Sequence, residues 1–129
     1  TAHVPYAIGV NNHMGSRFTA DRQAMEEVLS VLKQKNLFFV DSVTFPGSVG
    51  ADEARKLGVR TASRQVFLDN RQTPEDICRQ LQQLVAYAGR HGKGIGIGHP
   101  NRATVNALKL CREMLLEQVR IVGIHELVN

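Results

Sequence analysis

At 129 residues the chain is long enough to bury a core and amounts to one domain at most, or part of one. Apolar residues at 43% and charged residues at 22% fit a soluble globular chain, and aromatics at 5% with no tryptophan argue against a platform of stacked rings for sugars. The net charge of +4 is scattered over residues such as Arg22, Lys33, Arg55, Arg71, Arg79, Arg90 and Arg112, without the dense run that nucleic acid would call for.

In chain order, Tyr6–Val10 reads as a buried strand that runs into Asn11-Asn12-His13-Met14-Gly15-Ser16. Thr19 is a plausible N-cap for a helix to about Lys35, with Ala24, Met25, Val28, Leu29 and Leu32 as its buried stripe. Leu37–Val40 is a second short strand, ending at Asp41-Ser42. A loop around Pro46-Gly47 follows, and Ser48 is placed to cap a helix from Val49 to Leu57 that Gly58 stops. Val66–Leu68 is a third strand, closed by Asp69-Asn70.

Thr73-Pro74-Glu75-Asp76 is the clearest helix start in the chain, combining a capping hydroxyl, proline at the first helical position and two acids against the macrodipole. Its stripe is Ile77, Leu81, Leu84, Val85 and Ala88, and it ends between Gly89 and Gly92. Gly94-Ile95-Gly96-Ile97-Gly98 is a strand with one face stripped of side chains, as where backbones or a ligand come close. His99-Pro100-Asn101 ends it. A helix from about Arg102 to Glu117, with Val105, Leu108, Met114 and Leu115 inside, and a last strand over Val119–Ile124 complete the order. Such alternation predicts an α/β fold of parallel-stranded βα repeats, as an open sheet or a barrel.

Cys78 and Cys111 fall on separate helices and form no CxxC pair, which excludes a structural zinc site on spacing. Two buried small hydrophobes and one disulfide are both compatible with them. No secretory leader and no apolar run of about 18 residues is present, so the chain is not expected to span a membrane. Opening on Thr1 rather than methionine, it reads as a processed product or an excised piece.

Four strand ends carry polar groups: Asn11-Asn12-His13, Asp41-Ser42, Asp69-Asn70 and His99. Parallel strands place such ends on one side, where α/β folds hold their ligands, so His13 and His99 are expected to share one site. One histidine or aspartate at a strand end is ordinarily structural; four polar ends together point to function. Imidazole and carboxylate suit metal-assisted hydrolysis: a divalent ion polarises a carbonyl and acidifies its water, a carboxylate takes the proton, and an imidazole protonates the leaving group. No HExxH or other tight ligand motif supports the metal by spacing. The chain also lacks the GxSxG elbow of serine hydrolases, the phosphate loop GxxxxGK[ST] and a cysteine at a strand end.

Ala7-Ile-Gly-Val-Asn-Asn-His-Met-Gly-Ser16 resembles the signature of the divergent polysaccharide deacetylases, relatives of the NodB-type carbohydrate deacetylases. The resemblance continues in order through Phe38-Phe-Val-Asp-Ser42, Val66-Phe-Leu-Asp-Asn70 and Ile95-Gly-Ile-Gly-His-Pro100, and covers essentially the whole chain. It implies part of a distorted NodB-like (β/α) barrel and a metal-dependent hydrolase that removes acetyl groups from an envelope polysaccharide, in the bacterial periplasm or cell envelope. By motif position His13 resembles a metal ligand, with zinc the implied ion. Asn11, Asn12, Ser16 and Ser42 fall on the substrate-binding side, Asp41 and Asp69 match the acidic strand ends of the catalytic pocket, and His99 matches the histidine that acts on the leaving group.

Two segments that precede this signature in the family, an Asp-Asp strand and a strand ending in a histidine motif, have no counterpart here. Residues 1–129 therefore resemble the C-terminal portion of the domain, inactive alone and open to self-association through a bare sheet edge. Four residues after His13 stands Arg17 rather than a second histidine. A catalytically silent envelope protein that binds glycan or a protein partner is the alternative reading. An open Rossmann-like domain of unrelated function is the third.

Overall fold

The computed structural model describes residues 3–129. The chain divides into two compact units, one running to Ser63 and including Gly123–Asn129, the other Arg64–Val122. Each has its own parallel sheet and its own apolar core.

The first unit contains strands β1 (Gly9–Asn11), β2 (Phe38–Asp41) and β3 (Thr61–Ser63), with helices α1 (Ser16–Thr19), α2 (Arg22–Gln34) and α3 (Gly50–Leu57). The strands are parallel in the order β1-β2-β3, with Val10 opposite Phe39 and Phe39 opposite Thr61. Met25, Leu29 and Leu32 recur at i, i+4 and i+7 on α2 and pack with Phe39, Ala54 and Val59. Buried Glu53 on α3 pairs with Arg22 and, at 2.9 Å, with Lys56. The Lys56 hydrogen bond holds its carboxyl below the ordinary range; burial pushes the other way, and Arg22 adds to the depression. At the C-terminus, Asn129 and Thr61 exchange backbone hydrogen bonds of 2.9 and 3.2 Å, which covers the outer edge of β3.

Three expectations are corrected here. The helix expected over 19–35 is two helices: the Thr19 hydroxyl turns back to the carbonyls of Gly15 and Ser16, and Asp21 supplies the N-cap of α2 by accepting from the Ala24 N–H. Val28 lies off the buried stripe, 37% exposed. The first strand starts at Gly9 and pairs, among the described residues, with β2 alone; Tyr6, Ile8 and Val10 are exposed rather than buried. β3 is an additional strand, built of small residues without the apolar run that would announce it.

The second unit pairs β4 (Val66–Phe67) in parallel with β5 (Gly96–Ile97) and adds α4 (Pro74–His91), α5 (Arg102–Leu110) and α6 (Arg112–Gln118). Thr73 caps α4 by accepting from the Asp76 N–H, Pro74 begins it, and Gly92 at φ 81° ends it, as expected. Its core joins Leu68, Ile77, Leu81 and Val85 to Ala107, Leu115 and a disulfide between Cys78 and Cys111, whose Cα atoms are 6.0 Å apart. The inner face of α5 is rotated from the expected one. Thr104, Ala107 and Cys111 are buried and Val105 and Leu108 face solvent, because small residues let α5 approach α4 beside the bridge. The helix also breaks at Cys111 instead of running on to Glu117. Among the described residues no strand forms over 119–124: Val119 has extended backbone without a ladder partner there, and Ile124–Glu126 make a 3₁₀ turn. Among the described residues neither sheet closes into a barrel.

The stripped face of the glycine strand meets a helix. A Cβ at Gly96 would stand 2.8 Å from a Leu84 methyl and 3.1 Å from one of Leu68, and a Cβ at Gly94 3.0 Å from Leu84. Gly89, on α4, has open space around it. Accordingly Gly96→Ala is expected to destabilise by ~1–2 kcal/mol through over-packing, and Gly89→Ala to stabilise by ~0.5–1 kcal/mol through helix propensity. Urea unfolding midpoints on either side of wild type would verify this pair of opposite signs.

Candidate functional site

In the first unit the polar ends of β1 and β2 interlock. The β1–β2 register sets Asn11 opposite Val40, so Asn12 comes level with Asp41-Ser42. Asn12 donates from Nδ2 to Asp41 Oδ1 at 3.2 Å and accepts the Ser42 N–H at 2.6 Å on Oδ1. Its carbonyl accepts the Ser42 hydroxyl, also at 2.6 Å, and Asn11 Nδ2 donates to that Ser42 Oγ at 3.2 Å.

Asp41 is buried and both its oxygens are engaged. Oδ1 also accepts the Val43 N–H at 2.9 Å, while Oδ2 accepts the Ser48 hydroxyl at 2.8 Å and the Ala51 N–H, in the first turn of α3, at 3.2 Å. A Cβ at Gly50 would lie 3.0 Å from that Oδ2, so the glycine lets the helix N-terminus close on the carboxylate. Ser48 therefore braces Asp41 while accepting a 3.4 Å bond from Gly50 N–H, and it precedes the N-cap, Val49. The turn after Asn12 is exposed: it carries His13, then Met14 and Gly15 at φ 55° and 82°, and Ser16 opens α1.

In the second unit the β4–β5 register, Val66 opposite Gly96 and Phe67 opposite Ile97, continues to bring Asp69 beside His99. Asp69 is 5% exposed, and its Oδ2 accepts the His99 backbone N–H at 2.7 Å, His99 Nδ1 at 3.0 Å and Asn101 Nδ2 at 3.4 Å. Burial is the largest single influence on the Asp69 carboxyl and pushes its pKa up, but the His99 hydrogen bonds and the imidazolium charge together bring it below the ordinary value. The carboxylate fixes the ring with Nδ1 as the donor, so in the neutral imidazole the lone pair is on Nε2. The His99 side chain remains 55% exposed. A buried carboxylate behind a half-exposed imidazole is an arrangement that can carry a proton to or from a bound molecule.

The strand ends thus converge within each unit: Asn11, Asn12, Asp41 and Ser42 in one, Asp69 and His99 in the other. Ser48 and Asn101 are additions to the expected residues. Each follows a strand end by a few positions at a helix start, where a short polar side chain reaches back to the strand-end carboxylate. For a metal, the described residues offer no group of three or more His, Cys, Asp or Glu able to hold an ion, so the donor set does not by itself fit one.

A family model described as divergent polysaccharide deacetylase matches residues 1–128. The chain belongs to this family. Among relatives of this deacetylase-family chain, an uncharacterized protein of Haemophilus influenzae is 42% identical over 121 residues, 94% of this chain and 43% of its own length. The uncharacterized protein YibQ of Escherichia coli is 39% identical over 127 residues, 98% of this chain and 40% of its own. The crystal structure of an uncharacterized protein from Agrobacterium tumefaciens superimposes with a TM-score of 0.89 at 30% identity, over 94% of this chain and 50% of that one. The chain therefore spans less than half the length of the curated relatives it matches. Among the described residues no helix is long and apolar enough to cross a membrane.

Proposed function

We propose that the protein is a hydrolase that removes acetyl groups from an envelope polysaccharide, with Asp69 and His99 as its acid–base pair. The observation that carries this reading is the Asp69 carboxylate, buried and bonded to both the backbone N–H and Nδ1 of His99. Water gives a proton to Nε2 of the neutral His99 ring as it adds to the acetyl carbonyl, and the bond from the carbonyl carbon to the sugar nitrogen or oxygen then breaks. The departing atom takes a proton from Nε2 of the His99 imidazolium, which Asp69 stabilises. Ser16, exposed in the turn after β1, and Asn11, exposed at the end of β1, are the groups offered to glycan hydroxyls; Asn11 also donates to Ser42, and Asn12, Ser42 and Asp41 hold that turn's base. A divalent metal, zinc above all, with His13 among its ligands, belongs to the same reading. Its further ligands would come from outside the described residues. The Cys78–Cys111 bridge supports a periplasmic or envelope location, since such bonds persist in oxidising compartments.

Acetate release from N-acetylglucosamine oligomers and from an O-acetylated glycan, by the full-length protein in zinc-replete buffer, tests the reading. Wild type is expected to release acetate from one of them and His99→Gln to lose that activity. Glycan retention without acetate release by wild type would leave a silent glycan-binding protein instead.

A further inference from the structure

Asn101 is the N-cap of α5, and its side chain does more than a cap requires. Oδ1 accepts both the N–H and the hydroxyl of Thr104, at 2.9 and 3.1 Å, and Thr104 is itself buried. With Oδ1 pinned in this way, Nδ2 is turned to Asp69 Oδ2, the oxygen that accepts from His99. Aspartate and serine cap helices about as well as asparagine. Only asparagine among them accepts at one atom and donates an N–H at another. The helix start alone does not require an amide here; the amide's N–H is the group that reaches the strand-end carboxylate.

We propose that Asn101 is a positioning residue for the Asp69–His99 pair: it ties the pair to the first turn of α5 and holds Oδ2 on the imidazole Nδ1–H. The carboxylate can rotate about its Cβ–Cγ bond, and a third donor, rooted in a helix, restricts that rotation. The disulfide that anchors the far end of α5 at Cys111 makes the helix a fixed support. The effect on turnover rests on the acid–base role proposed above; the effect on the ring does not.

The test uses the full-length protein with Asn101→Ser and Asn101→Asp, both of which keep a capping acceptor for the Thr104 N–H. Serine removes the Nδ2 donor without adding charge, and aspartate replaces it with a carboxylate that repels Asp69. Nitrogen-15 shifts of the His99 ring report which nitrogen carries the proton. Wild type is expected to show mainly the Nδ1–H form, and both variants a mixed population, with helix content close to wild type in both and the thermal midpoint close to wild type in Asn101→Ser but lowered in Asn101→Asp. With an acetylated substrate, kcat should fall about tenfold at constant KM, a barrier increase of ~1.4 kcal/mol. If one variant fails to fold, the other decides. An unchanged tautomer ratio in a folded variant would reduce Asn101 to a helix cap and overturn the proposal. A changed ratio in a protein that releases no acetate would support the positioning role and reject the hydrolase reading.

Discussion

Replacing Cys78 and Cys111 together by alanine is expected to lower the unfolding free energy by about 3.7 kcal/mol at 25 °C, from the loop-closure entropy of a bridge spanning 33 residues. That closed loop contains most of α4, all of β5 and α5, and both His99 and Asn101. Without the bridge, the unfolded chain gains the freedom that the covalent loop denies it, and the core beside Ala107 and Leu115 loses buried sulfur as well. Urea titrations of the oxidised protein, of the protein in excess dithiothreitol and of the double variant separate the contributions. Reductant should shift the wild-type midpoint strongly and leave the variant unmoved. Equal midpoints for oxidised and reduced wild type would mean that the bridge does not stabilise the fold. Because Asn101 and His99 lie inside the loop, reduction should also increase amide exchange at the start of α5 before global unfolding.

What could be read in the sequence divides along physical lines. Where local chemistry is self-sufficient, reading succeeds: Thr73-Pro74-Glu75-Asp76 opens α4, and β2 needs only its run of apolar β-formers. Gly94, Gly96 and Gly98 signalled a close approach, and the structure identifies the approaching group as Leu84 of α4 at Gly94 and Gly96, and as Leu68 and Thr104 at Gly98. Where an element depends on its partner, local signals mislead. Thr61-Ala62-Ser63 has no apolar run and becomes a strand because β2 pairs with it, whereas Val119–Ile124 has the β-branched residues of a strand and finds no ladder among the described residues. The inner face of α5 is set by the bridge and by Ala107, so the larger Val105 and Leu108, favoured by hydrophobicity, point outward.

Among the strand ends, parallel register brings Asp69 to His99 in one unit and Asn12 to Asp41 in the other. Two features escaped the sequence: that Asp41 has both oxygens engaged, and that Ser48 and Asn101 reach back from the starts of helices. These depend on loop conformations, such as Val43 at φ 47°, an uncommon position for a β-branched residue that no periodicity encodes.

His99→Gln is expected to lower kcat by ~10²–10⁴-fold, the range a positioned acid–base group contributes, and Asp69→Ala nearly as much, because the ring loses both orientation and charge stabilisation. Asp69→Asn should recover part of that loss. Its carbonyl oxygen can still accept from the His99 N–H groups, but the neutral amide no longer stabilises the imidazolium, and with the ring half exposed to screening water this amounts to ~10–100-fold in kcat. The ordering Ala below Asn below wild type therefore distinguishes charge from orientation; equal losses in Ala and Asn would leave charge as the whole effect.

The same carboxylate leaves a mark on stability. Its folded pKa is depressed, so the unfolded chain binds its proton first, and the stabilisation is fully present above the ordinary aspartate value of ~3.9. It is lost as pH falls through the lower folded value. Glu53 and Asp76 are depressed in the same direction and contribute to the acid slope of wild type, so the difference between wild type and Asp69→Asn isolates this one group. The two urea midpoints should converge as pH drops below about 4. A gap that persists unchanged into acid would mean that Asp69 gains nothing from its His99 bonds in the folded chain, and the acid–base pair would lose its physical basis.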